Sequence, residues 1–310
     1  MREEYNGINE REEGLRNVFS LYIIWYIFLA GLGAGAFVVG VAINLPSGNE
    51  ALLRVSTQSL NPVTAGFLVA AVALPLSCVF LLCDLGNPAR IMAVFAHPFI
   101  SIVSVGAWIV GLSALIAVVT VALVVANKLS QAGLAALEAA GALLAVGVLI
   151  YTGLLLSEMP SVDFWNTWLL VALFAVSGLT CGFAASGLLG VSLAEPRGGE
   201  EVSDGARTVS ALVELAVLAA YLLTRLFATD SARESVLCLF TGDMAGYFLG
   251  GVLLVGMAVP LACSALRRGI DSRALTLAAA GCALIGGWCL RYCVVNAAVV
   301  DVIAYGPLFA

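Results

Sequence analysis

Polar side chains lie near the ends of two apolar segments, at positions where hydrocarbon side chains would cost less free energy. Tyr151 and Thr152 precede the polar stretch SEMPSVDFWN, and Asp84 ends another apolar segment, in CDLGNPAR. Hydroxyl groups can donate hydrogen bonds, and a carboxyl group can exchange protons. All three residues are therefore candidates for binding or proton transfer. The alternatives are an interfacial aromatic role for Tyr151 and a turn at the helix end for Asp84.

Ionisable side chains also occur inside the apolar segments, where they are costly and often functional. Arg207, Glu214, Tyr221 and Arg225 follow one another at helical spacing, so they lie near one helix face. They predict either a polar network between helices or a proton path and polar wall of a ligand site. Arg291, in WCLRYCVVN, is expected to pair with an acid or to point into a cavity.

The histidine and cysteine residues do not form the ligand sets of common redox centres. His97, in AHPF, is the chain's one histidine, whereas a b-type haem in a helix bundle usually takes one axial histidine from each of two helices. The eight cysteines lie almost all in apolar segments and form no CxxC pair. We therefore predict no haem, iron–sulfur cluster or metal in this chain. His97 is expected in a loop, either as an interfacial residue or exchanging protons at the mouth of a cofactor site.

The composition is that of a membrane protein. Of 310 residues, 62% are hydrophobic and 11% are charged, against roughly 25% charged in soluble domains. A helix needs about 20 apolar residues to span a bilayer, and eight segments qualify: 19–43, 62–83, 99–126, 132–157, 164–193, 207–228, 244–265 and 274–300. We predict an all-α integral membrane protein, a bundle of eight transmembrane helices over 19–300. The polar N-terminal tail is 1–18 and the short C-terminal tail is 301–310.

The distribution of charge indicates an orientation and excludes one class of partner. A net charge of −6 provides no basic surface for nucleic acid. An even number of spans puts both termini on one side, and basic residues are slightly more numerous on the other, for example Arg267, Arg268 and Arg273. By the positive-inside rule, both termini are expected outside the cytoplasmic (inner) membrane.

Three stretches of sequence resemble a known family. They are WYIFLAGLGAGAF in the first span, CDLGNPARIMAVFAHPFISIVSVGAWI after the second, and YTGLLLSEMPSVDFWNTWLLVALFAVSGL in the fourth and fifth. They are similar to the NrfD/PsrC family, the polysulfide-reductase-type membrane subunits. The resemblance covers nearly the whole chain in length and span number, and it is most specific in the two loop motifs.

The resemblance implies a subunit that binds menaquinone or a related quinone and docks a four-cluster ferredoxin-like iron–sulfur subunit. That partner would serve a molybdopterin (or multihaem) catalytic subunit. Tyr151, as the matching tyrosine of span four, would hydrogen-bond the quinone oxygen near the docking surface. Some relatives carry a histidine in span one, and this chain has none there.

A quinone site also needs an apolar slot, hydrogen-bond donors and a protonatable group, because full reduction takes up two protons. The candidates for this site are Tyr151, Thr152, Asp84, His97 and Arg291. The candidates for a proton path are Glu214, Tyr221 and Arg225.

Two other functions stay open from the sequence. A secondary transporter would have Glu214 and Arg291 in its substrate path, and Pro75 and Pro260 interrupt the second and seventh spans. A passive membrane anchor would hold the catalytic subunits while quinone binds elsewhere. A missing contact between quinone and this chain would favour the anchor.

Overall fold

Eight helices in the computed structural model are long and apolar enough to cross a membrane. The described residues are 20–44, 62–86, 102–126, 128, 130–159, 162–193, 200–266 and 273–298. Within them, the predicted all-α membrane bundle is confirmed. His97, both tails and most of the loop after Asp84 lie outside the described residues.

The helices are numbered in chain order. They are α1 (Leu21–Asn44), α2 (Pro62–Leu85), α3 (Ile102–Val125), α4 (Gln131–Ser157), α5 (Trp168–Leu193), α6 (Glu200–Leu226), the short α7 (Asp230–Thr241), α8 (Gly246–Leu266) and α9 (Arg273–Asn296). All but α7 are membrane spans.

The predicted boundaries agree with these helices to within a few residues, except around the fifth and sixth spans. The fifth span begins at Trp168 rather than at 164, because residues before it form turns. The sixth begins at Glu200, inside a stretch predicted to be a polar linker. The amphipathic helix α7 has no counterpart among the predicted segments.

Helix α1 lies at the centre of the bundle, packed against α2, α4 and α5. Its contact with α5 is very close, because a β-carbon on Gly35 would overlap the backbone of Gly178, and one on Gly182 would overlap the backbone of Gly35. Small residues at such crossings let helices gain van der Waals contact where lipid removes the hydrophobic driving force. This packing holds the first residues of α1 beside the last residues of α2 and α4.

Helices α6 and α8 lie at the periphery, where many of their leucines and valines are exposed. Residues Gly246–Ala258 of α8 are π-helical, and Gly256 of this stretch meets Gly286 of α9 at backbone distance. Both Pro75 and Pro260 lie within continuous helix.

Candidate functional site

Two buried tyrosine hydroxyls lie close together between α1 and α4. Tyr26 is 0% exposed and Tyr151 is 4% exposed, and the two side chains are close enough to interact electrostatically. Neither hydroxyl has a well-aligned hydrogen-bond partner among the described residues, although each lies within hydrogen-bonding reach of the other. A buried polar group without a partner costs about 1–3 kcal/mol. The pair is therefore suited to a ligand that offers an oxygen acceptor.

The tyrosine pair lies near one membrane surface. Tyr26 is on the second turn of α1, and Tyr151 is less than two turns from the end of α4. At a rise of 1.5 Å per residue, both lie roughly 7–9 Å along the helix axis from those helix ends. The same depth on α3 is occupied by Gly106. A ligand held there would lie close to whatever covers this end of the bundle.

Gly106 makes room for the Tyr151 side chain. A β-carbon built on Gly106 would overlap Cζ and the hydroxyl oxygen of Tyr151. Cys78 of α2 is an electrostatic neighbour of Tyr26. Residues of four helices, α1 to α4, thus surround the two hydroxyls.

Thr152 and Asp84 have other hydrogen-bond partners. The Thr152 hydroxyl is buried and donates to the carbonyl oxygen of Leu149, 2.9 Å away in the same helix. Asp84, at the end of α2, accepts a hydrogen bond from the Ser20 hydroxyl, which precedes α1. The proton of Thr152 is therefore committed to its own helix, and Asp84 lies at the surface end of the site.

Arg291 is fully buried, on the far side of α1 from the tyrosine pair. Its guanidinium carbon lies 5.6 Å from the ring centroid of Phe28 and 5.4 Å from that of Phe174. Its Nη1 donates to Ser177 Oγ at 3.1 Å and to the carbonyl oxygen of Gly287 at 2.8 Å. The side chain of Phe28 projects from α1 about 200° around the helix axis from that of Tyr26. The structure therefore does not bring Arg291 to the tyrosine hydroxyls.

Glu214 of α6 completes a polar cluster around Arg291. Glu214 is 6% exposed. Its carboxyl group interacts with Ser177 and Thr180 of α5 and with the charge of Arg291. Thr180 is also 2.8 Å from Ser210 of α6, hydroxyl to hydroxyl. The cluster joins α5, α6 and α9, which matches the polar network that the sequence offers as one alternative for Glu214.

Tyr221 and Arg225 share the α6 face with Glu214 but bind a different part of the chain. The Tyr221 hydroxyl donates to the carbonyl oxygen of Phe164 at 2.8 Å. Arg225 Nη1 donates to the carbonyl oxygens of Asp163 at 3.1 Å and Asn166 at 3.3 Å. Both side chains therefore hold the segment between α4 and α5.

Tyr26 is the site residue that no sequence pattern singles out. The sequence feature that could have pointed to Tyr26 is its depth, which equals that of Tyr151, on a helix that crosses the same membrane surface. That signal needs the packing of α1 against α4, which the sequence does not specify.

The chain has recognisable relatives. It matches the model of a protein family described as "Polysulphide reductase, NrfD" over residues 9–303. It is also similar to the C chain of the polysulfide reductase of Wolinella succinogenes, with 29% identity over 296 aligned residues that cover 88% of this chain and 91% of that protein. The family match includes every described helix and both buried polar clusters.

Proposed function

The chain belongs to the NrfD polysulphide reductase family, and from this premise we propose that it is the quinone-reactive membrane subunit of a respiratory oxidoreductase complex. Its similarity to one of the chains of a polysulfide reductase supports membership of such a complex. The observation that carries the quinone site is the pair of buried hydroxyls of Tyr26 and Tyr151, which lie side by side and have no well-aligned partner among the described residues.

The tyrosine pair fits menaquinone or a related quinone. A quinone ring offers carbonyl acceptors and no donor, and each tyrosine hydroxyl has an O–H group that can donate to such a carbonyl. Each hydrogen bond made there would contribute about 0.5–1.5 kcal/mol. When bound, the quinone supplies two-electron chemistry coupled to two protons.

The other candidate residues take separate parts in this proposal. Asp84 is the proposed proton-exchanging group toward the surface, and His97, outside the described residues, remains proposed for the same route. Thr152 can offer a lone pair but not its proton. We assign Arg291 to the cluster with Glu214, whose role in a proton path stays a proposal.

The proposed partner is a four-cluster ferredoxin-like iron–sulfur subunit, itself bound to a molybdopterin or multihaem catalytic subunit. Because the sequence has neither paired histidines nor a cysteine cluster motif, electrons must pass between the quinone and a cofactor of another protein. That protein must come close to the tyrosine pair. We therefore place it on the surface where α1 begins and α2 and α4 end.

Replacing Tyr151 by phenylalanine is expected to lower kcat/KM for a menaquinol analogue about three- to tenfold, because one hydrogen bond to the substrate oxygen is lost while the ring remains. Tyr26→Phe should have a similar effect. Oxidation of the analogue by the purified complex measures both. Tyr247→Phe is the matched control, because Tyr247 is 48% exposed on α8. Unchanged kinetics in both site variants would remove the pair from the site and favour the passive anchor.

The proposed orientation puts both termini and the docking surface outside the cytoplasmic membrane. Glu158 is exposed at the end of α4, and Lys128 is exposed at the other end of the bundle. In a background with the exposed Cys83 changed to serine, Glu158→Cys should react with an impermeant thiol reagent in intact cells, and Lys128→Cys only after lysis. Co-expression of the soluble subunits should protect position 158 severalfold.

The experiment tests the orientation and the docking surface by separate results. Labelling of position 158 only after lysis would reverse the orientation. Equal labelling with and without the soluble subunits would place the docking surface elsewhere.

A further inference from the structure

The segment that joins α4 to α5, residues 158–167, has three fully buried apolar side chains in its described part, 158–159 and 162–167. We refer to it as the connection. Of its described residues, Val162 is 1% exposed and Phe164 and Trp165 are 0% exposed. Backbone hydrogen bonds from Val162 N to Met159 O and from Trp165 N to Val162 O fold it into successive turns. Such burial is unusual for a loop, because its backbone groups then need partners.

Three side chains supply those partners or tie the connection to distant helices, and we call them the clamp. Tyr221 donates to the carbonyl oxygen of Phe164, and Arg225 donates to those of Asp163 and Asn166. Trp165, from the connection itself, donates from Nε1 to the carbonyl oxygen of Val294 on α9, 2.8 Å away.

The Phe164 and Tyr221 rings also pack together, with centroids 5.3 Å apart. The connection is thus fixed to α6 by the side chains of Tyr221 and Arg225, and to α9 by its own Trp165.

The end of α4 leads directly into the connection. Tyr151 lies less than two turns before the connection, and a β-carbon on Gly153 would be 2.5 Å from Cα of Val171 on α5. The last turns of α4 and the first turn of α5 are therefore in direct contact on either side of the connection. Tyr26 lies on a different helix, so a shift of these turns would change the separation of the two hydroxyls.

We propose that Tyr221 and Arg225 are positioning residues, which hold the connection and through it the Tyr151 hydroxyl at the place where a quinone oxygen is bound. The inference rests on the proposed quinone site. It gives these two residues a role different from proton transfer, because the Tyr221 hydroxyl and Arg225 Nη1 already donate to backbone carbonyls of the connection. Hydrogen bonds need donor–acceptor distances within a few tenths of an ångström, so small shifts of Tyr151 are enough to weaken binding.

Hydrogen–deuterium exchange of the purified full chain, without quinone, tests the attachment. In Tyr221→Phe and Arg225→Gln, the amides of residues 162–167 should exchange about three- to tenfold faster, because at least one hydrogen bond fewer opposes local opening. Arg225→Lys keeps a cationic donor and should restore part of the protection. Tyr247→Phe and Arg233→Gln are the matched controls, and both should exchange as the parent does.

Steady-state kinetics with a menaquinol analogue tests the positioning. Tyr221→Phe should raise KM about three- to tenfold, with kcat within about twofold, and Tyr247→Phe should change neither. Unchanged exchange would overturn the clamp. Faster exchange with unchanged KM, while Tyr151→Phe impairs turnover, would overturn the positioning role. If neither Tyr151→Phe nor Tyr221→Phe changes turnover, the quinone site fails and the positioning role with it, whereas the exchange result still reports on the clamp.

Discussion

Gly106→Ala is expected to lower turnover of a menaquinol analogue about ten- to a hundredfold, whereas Gly111→Ala, on the same helix, should leave it unchanged. A β-carbon at 106 would overlap the ring and hydroxyl of Tyr151, so the ring must move away from the proposed site. A displacement of about 1 Å at a reacting centre can cost on the order of a hundredfold. At Gly111, no atom lies within 4 Å of the added carbon.

The two glycine variants share every other expected effect. Each replaces glycine by alanine inside α3 and gains about 0.8–1.0 kcal/mol of helix propensity. Size-exclusion chromatography of the purified complex checks that both assemble, and turnover is then compared at equal protein. Full activity of Gly106→Ala would show that the place of the Tyr151 ring does not matter, and it would contradict the proposed site.

The spans could be predicted from the sequence because lipid leaves few alternatives. A run of about 20 apolar residues must be helical, since unpaired backbone groups are too costly in hydrocarbon. The same reasoning misplaces the start of α5 at 164, because Phe164 and Trp165 are as apolar as the span that follows them. They are buried in turns by contacts with α6 and α9, which no local pattern contains.

The site was less predictable because residue type does not reveal hydrogen-bond partners. Tyr151 and Thr152 are adjacent hydroxyls, yet only the Thr152 hydroxyl bonds to its own helix, as threonine commonly does. Likewise, helical spacing correctly groups Glu214, Tyr221 and Arg225 on one face. It could not show that Glu214 faces a buried arginine while the other two bind the connection.

Arg291 and Glu214 are the charged groups of a buried cluster, and this makes their expected effect on stability large. Arg291 is 0% exposed and Glu214 is 6% exposed, and each interacts with the charge of the other. Removing one partner from a directly bonded buried ion pair costs about 3–5 kcal/mol, because the other charge is left without compensation, and this value is the upper bound for two buried charges that interact across a cluster. That is a large share of a total stability of about 5–15 kcal/mol.

Arg291→Met is therefore expected to lower the free energy of unfolding by up to about 3–5 kcal/mol, measured by denaturant titration of the solubilised chain. Methionine keeps an unbranched apolar side chain between Phe28 and Phe174 but removes the charge and both donated hydrogen bonds. Arg233→Met, at an exposed arginine, is the control and should change stability by less than about 0.5 kcal/mol. Adding Glu214→Gln to Arg291→Met should recover part of the loss, because the neutral amide no longer needs a cation. No recovery would show that Glu214 is not the group that Arg291 compensates, and parent-like stability of Arg291→Met would contradict the charge pair altogether.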